Sequence, residues 1–299
     1  MTASSRQHFT TPDGLTLVGD RVGPPDAPTV ILLHGGGQTR HSWTRTMHRL
    51  VGQGYGVINY DARGHGDSAW SPVANYTIQA LAADLRAIRE TVRGPVALVG
   101  ASMGGMTSFY AIGTSDPPLA QALVMVDIVL SIAQEGGQRI RRFMQGHDKG
   151  FADLEEARLA VAAYNPDRPA PKDTSGLRKN LRQGEDGRLY WHWDPLMLRM
   201  PPGSEPPSRI DALLAVSHRV TVPTLVIRGG RSDIVNDEGI EEMQRLVPQT
   251  EIYEVPAAGH MVAGDQNDMF SAGVLSFLQR HFPAGTTNAL EAMNGNPDL

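Results

Sequence analysis

Three side chains in this sequence have the types and the chain order that acyl-transfer chemistry needs: Ser102, Asp233 and His260. A serine hydroxyl is a weak nucleophile at neutral pH, so a base must accept its proton, and an imidazole with a pKa of about 6.5 suits that task. A carboxylate on the far ring nitrogen fixes the tautomer and stabilises the imidazolium that forms. Ser102 sits in Gly100-Ala101-Ser102-Met103-Gly104, Asp233 closes Gly230-Arg231-Ser232-Asp233, and His260 follows Gly259.

Gly-x-Ser-x-Gly alone arises easily in a chain with 32 glycines, where it can mark a tight turn carrying an ordinary serine. Its setting decides between the readings. The apolar run Val96 to Val99 predicts a strand before it and Met103 to Ile112 a helix after it, the context a nucleophile elbow requires. In such an elbow small residues flank a strained serine, and the first amides of the helix, Met103 N–H among them, face a developing oxyanion.

Further apolar runs predict strands at Thr29–Leu33, Gly56–Tyr60, Ala122–Val126, Thr224–Arg228 and Glu251–Val255, with helices at Tyr76–Thr91 and Asp265–Phe282. Strand and helix in alternation argue for a parallel sheet with right-handed crossovers, and each of the three reactive side chains falls just beyond a strand. Pro12-Asp13-Gly14 predicts an opening hairpin. His34-Gly35-Gly36-Gly37-Gln38 follows the first buried strand, and its glycines allow an amide to turn toward a reacting carbonyl. His34 reads as a holder of loop backbone, and Asp61 and Arg63 as internally paired charges that fix the loop at Asp61–Ser68.

Between Asp127 and about Val220 the strand runs vanish, while proline, arginine and aromatic residues accumulate. This predicts a core of residues 1–128 and 220–282, an inserted cap at 129–219 with helices near Gln138–Gln145 and Leu154–Tyr164, and a polar tail at 283–299. Leu189-Tyr190-Trp191-His192-Trp193 is the densest aromatic cluster. It reads either as a substrate-pocket wall, with Trp191, Tyr190 and Met261 as candidate lining residues, or as the insertion's own core. His192 is open in the same way.

The composition narrows the function classes. With 40% hydrophobic and 20% charged residues over 299 positions the chain can bury a sizeable core. A net charge of −5 provides no basic field for nucleic acid or an anionic membrane. The absence of cysteine excludes disulfides, thiolate metal sites and a cysteine nucleophile, and fits a reducing compartment. No apolar run resembles a signal peptide or a membrane span, so the expectation is a cytoplasmic protein, monomeric or homodimeric.

The motifs quoted above, with Asp61-Ala62-Arg63-Gly64-His65-Gly66-Asp67-Ser68, make the chain resemble the α/β-hydrolase superfamily over about residues 8 to 282. Within it the chain is similar to serine esterases related to cofactor-free haloperoxidases and to ring-cleavage-product hydrolases. The resemblance implies a mostly parallel eight-stranded sheet with helices on both faces and a mainly helical cap. It implies an oxyanion hole of Gly36 and Met103 amides, with Gly37 as an alternative donor, and it offers Asp127 as an alternative acid. The implied reaction is hydrolysis of small to medium carboxylic esters or lactones through an acyl-enzyme on Ser102, with no metal or organic cofactor. Carbon–carbon cleavage of vinylogous diketones or perhydrolysis would use the same triad, and a non-catalytic ligand receptor is the remaining alternative. Epoxide hydrolases and haloalkane dehalogenases also resemble the chain, with cap tyrosines at the places of Tyr164 and Tyr190, but they need a carboxylate nucleophile where this chain has Ser102.

Overall fold

Strict alternation of side chains along five apolar runs builds this molecule in layers. A computed structural model describes residues 4–164, 175–198, 209–256, 258–259 and 267–284. Its main sheet has eight strands: β1 (Ser5–Thr10), β2 (Thr16–Val22), β3 (Thr29–Leu33), β4 (Gly56–Tyr60), β5 (Val96–Ala101), β6 (Ala122–Val126), and, after a small separate pair β7 (Leu181–Gln183) and β8 (Leu189–Trp191), β9 (Thr224–Gly229) and β10 (Thr250–Val255). The order is β1-β2-β4-β3-β5-β6-β9-β10, antiparallel as far as β4 and parallel from there on. The predicted hairpin and all six predicted strands are present.

Both faces of the parallel strands are buried, which is why they read as continuous apolar runs. On one face Ile31, Leu98, Leu123 and Val226 pack against α2 (Ile78–Glu90) and α3 (Met103–Gly113). On the other Val30, Val99, Val124 and Ile227 pack against α1 (Thr44–Gly52) and the last helix, Asn267–His281. The helix from Asp237 to Leu246 joins the first layer through Met243. The sequence reading omitted it, although Asn236 caps its Gly239 amide at 3.0 Å and Ile240, Met243 and Leu246 have helical spacing.

Between β6 and β9 lie α4 (Gln134–Gln145), α5 (Leu154–Tyr164), α6 (Ser175–Arg178), the β7–β8 hairpin and α7 (Arg209–Val216); the Asp237–Leu246 helix is then α8 and the Asn267–His281 helix α9. A third apolar cluster of Met144, Phe151, Ala157, Leu189, Trp191 and Trp193 holds most of this segment together. The segment is mainly helical, with one short hairpin, turned by Asp186-Gly187, in which Leu181 pairs with Trp191. Helix α7, which an insertion ending at 219 would include, packs on α3 through Leu213 and Val216 and so sits with the helices of the sheet. The proline-rich stretches at 165–171 and 200–207 and most of the 283–299 tail lie outside the described residues.

Candidate active site

The elbow follows from steric necessity. Ser102 takes φ 45° and ψ −110° between β5 and α3, a conformation that costs an L-residue about 1–3 kcal/mol. Its amide donates to the Val126 carbonyl at 3.1 Å, which ties the turn to β6. A Cβ on Gly100 would collide with the Gly104 carbonyl, and one on Gly104 with the Leu33 carbonyl, so the helix can approach the strand this closely only with glycine at both places. Thr77 spends its hydroxyl capping α2 by accepting from the Ala80 amide at 3.2 Å. Ser102 occupies the same position on α3 and makes no such bond.

Facing the elbow is the loop after β3. An added Cβ on Gly35 would stand 3.5 Å from the Ser102 Cβ. Three buried histidines hold this loop. The His34 Nδ1–H donates to the Gly35 carbonyl at 2.8 Å, while its Nε2 accepts from the Ala62 amide at 2.9 Å. The Gly37 amide donates to His65 Nε2 at 3.1 Å. His192 accepts from the Gly66 amide at Nδ1, 2.8 Å, and its Nε2 faces the Gly37 carbonyl at 3.3 Å. Burial depresses all three pKa values, that of His192 to about 4, so the imidazoles are neutral at pH 7. His34 therefore has the loop-holding role read from sequence, and His192 acts on the loop from the inserted segment. With its amide on His65, Gly37 has no free donor for an oxyanion. Gly36 has no amide partner among the described residues.

Asp61 and Arg63 are internally paired, as expected, but not with each other. Asp61 bonds the Arg40 guanidinium and amide and the Asp67 amide; Arg63 forks onto Asp84 at 2.6 and 2.7 Å and reaches Asp13. Together these pairs anchor the loop that carries His65.

The two candidate acids occupy different surroundings. Asp127, at the end of β6, is fully buried, accepting from the Gly229 amide at 2.9 Å and the Ser232 hydroxyl at 2.7 Å. Gly229 in turn packs against the 258–259 turn, where an added Cβ would meet the Gly259 carbonyl at 2.6 Å. Asp233 lies on the side of α4: its backbone touches Gly136, and both carboxylate oxygens are 3.0 Å from Arg139. Its side chain is 35% exposed. Asp233 thus has its charge met by a guanidinium. His260 and Met261 lie outside the described residues.

The aromatic cluster divides by face. Trp191 is buried among Phe143, Phe151 and Trp193, stacking on Trp193 at 4.8 Å, and belongs to the insertion's own core. Tyr190 points the other way, its hydroxyl donating to Asp186 at 2.7 Å and Arg182 over its ring. Tyr164 stacks on Phe143 beneath Arg139. The residues that do reach the loop are Met144, whose Sδ lies 3.7 Å from where a Gly36 Cβ would stand, and Trp193, 3.3 Å from the corresponding point on Gly37. Sequence reasoning named neither as a lining residue. Trp193 lies past the end of β8, where strand alternation no longer says which way it points, and Met144 had no neighbour in sequence to mark it.

Comparison with known proteins agrees with this geometry. Residues 30–272 match the model of the alpha/beta hydrolase family. The chain is 30% identical over 247 residues to an esterase of Mycobacterium tuberculosis, Rv0045c, covering 80% of this chain and 79% of that one. It is 31% identical over 274 residues to the mouse sn-1-specific diacylglycerol lipase ABHD11, covering 86% and 82%. Among solved structures, a hydrolase from Novosphingobium aromaticivorans superposes with a TM-score of 0.77 at 24% identity, covering 94% of this chain and 99% of that one, a likeness of fold.

Proposed function

The chain belongs to the alpha/beta hydrolase family, and on that premise we propose that it is a serine hydrolase of small to medium carboxylic esters or lactones. The observation that carries the reading is Ser102 itself, strained at the start of α3 with its hydroxyl left out of helix capping. In the proposed reaction Ser102 Oγ attacks the substrate carbonyl and His260 takes the proton. The oxyanion is held by the amides of Gly36 and Met103. The tetrahedral intermediate collapses, His260 returns the proton to the departing alcohol, and water releases the acid from the acyl-enzyme by the same steps.

We assign the orienting acid to Asp127. An orienting carboxylate works buried, and Asp127 is fully buried and bonded to the Gly229 amide, the strand end that packs against the 258–259 turn just before His260, whereas Asp233 is partly exposed and faces Arg139. The segment between β6 and β9 acts as the cap, and Met144 and Trp193 roof the loop after β3, favouring a compact acyl group over a long one.

A fluorophosphonate probe read by intact mass tests the assignment: the parent protein gains one adduct and folded Ser102→Ala gains none, with ester turnover lost alongside. Ester hydrolysis that survives in Ser102→Ala overturns it. For the acid, Asp127→Asn lowers kcat about 10³- to 10⁴-fold and Asp233→Asn changes it less than about 3-fold; the reverse pattern returns the role to Asp233.

A further inference from the structure

Successive peptide planes of the loop after β3 are each tied to a different imidazole. In the plane joining residues 35 and 36, the Gly35 carbonyl accepts from His34 Nδ1–H at 2.8 Å and from the Gln38 amide at 3.1 Å. A trans peptide carries its N–H opposite its carbonyl, so this bond aims the Gly36 amide. In the next plane the Gly37 amide is held by His65 Nε2 at 3.1 Å, and in the third the Gly37 carbonyl faces His192 Nε2 at 3.3 Å.

The tautomers follow. His192 Nδ1 accepts from the Gly66 amide at 2.8 Å, so its proton resides on Nε2 and can be donated to Gly37. His65 accepts at Nε2 and donates from Nδ1 to the Arg63 carbonyl at 3.1 Å. The rings are neighbours, His34 edge to face with His65 at 4.9 Å and His65 tilted against His192 at 5.7 Å. His34 and His65 come from the sheet, but His192 comes from the segment inserted between β6 and β9. Its backbone is fixed as well: its amide donates to the Asn180 carbonyl at 3.1 Å, and the Asp194 amide donates to the Gly64 carbonyl at 2.8 Å.

We propose that His192 is a positioning residue for the oxyanion hole, holding the Gly37 carbonyl so that the Gly36 amide meets the developing charge. The inserted segment thereby completes the catalytic loop as well as covering it. This rests on the ester-hydrolase reading with Gly36 as donor.

The test uses full-length His192→Phe, which keeps a ring without either bond, and His192→Gln, whose amide can still donate to Gly37. Removing one oxyanion donor costs about 10²- to 10³-fold in kcat, so loosening its support lowers kcat about 10- to 100-fold in His192→Phe with KM within about 3-fold. Affinity for a trifluoromethyl ketone, which forms the tetrahedral adduct, falls by the same factor, and His192→Gln recovers most of both. An unchanged kcat, or a loss of kcat with ketone affinity intact, overturns the role. Independently of any substrate, ¹⁵N-histidine spectra of the parent protein show the Nε2–H tautomer at His192. The Nδ1–H tautomer overturns the proposal whatever the protein hydrolyses, while absence of Ser102-dependent turnover beside the Nε2–H signal condemns the ester reading instead.

Discussion

Met144 illustrates how one side chain can set what a site accepts. Its thioether lies over Gly36, and truncation to alanine opens space where an acyl chain would extend. In Met144→Ala the kcat/KM ratio of p-nitrophenyl hexanoate to acetate rises about 10-fold, in keeping with the worth of added methylenes in an apolar pocket. The same deletion costs stability of about 2–5 kcal/mol because the residue is buried in the third cluster. An unchanged chain-length profile in a folded variant removes Met144 from the acyl pocket.

The elements hold the reactive groups by close approach. With Leu33 backbone directly over Gly104, Gly104→Ala forces β3, β5 and α3 apart, and the expected loss in chemical denaturation is about 3 kcal/mol. The cap of α8 is a milder case. Asn236→Ala removes the acceptor for the Gly239 amide and lowers stability by about 1 kcal/mol without altering kcat. A large loss of kcat there would instead tie α8 to the chemistry. The Arg139–Asp233 pair joins α4 to the loop after β9 at a partly exposed position, so its stability contribution is small and screened by salt.

Across the molecule, the three buried histidines make stability depend on pH. In the unfolded chain each imidazole takes up a proton at about pH 6.5. In the folded protein burial keeps them neutral, His192 down to about pH 4. The unfolded state then binds more protons between these values, so stability falls as pH drops from about 6.5 toward 4 and is complete above that window. His192 alone accounts for about 3 kcal/mol at pH 4. Denaturant midpoints therefore fall steadily from pH 7.5 to pH 5, and His192→Phe flattens the slope. An equal slope in parent and variant contradicts this account.

The layers and the elbow were legible in the linear chain because they are local: the continuous apolar runs Thr29–Leu33 and Ala122–Val126 report burial on two faces, and Gly100 and Gly104 report a close crossing whatever lies around it. Short elements such as β7 and β8 were not, since three residues carry too little periodicity. The choice between Gly36 and Gly37, and between Asp127 and Asp233, was beyond sequence altogether. The members of each pair share a residue type, the glycines after β3 and the aspartates after β6 and β9, and what the fold adds is a neighbour distant in the chain: His65 on Gly37, 28 positions away, Gly229 on Asp127, 102 positions away, and Arg139 on Asp233, 94 positions away. Residue type and spacing determined which groups could react; only tertiary packing decided what each of them engages, because hydrogen bonds and charge pairing depend on neighbours that the fold alone brings together.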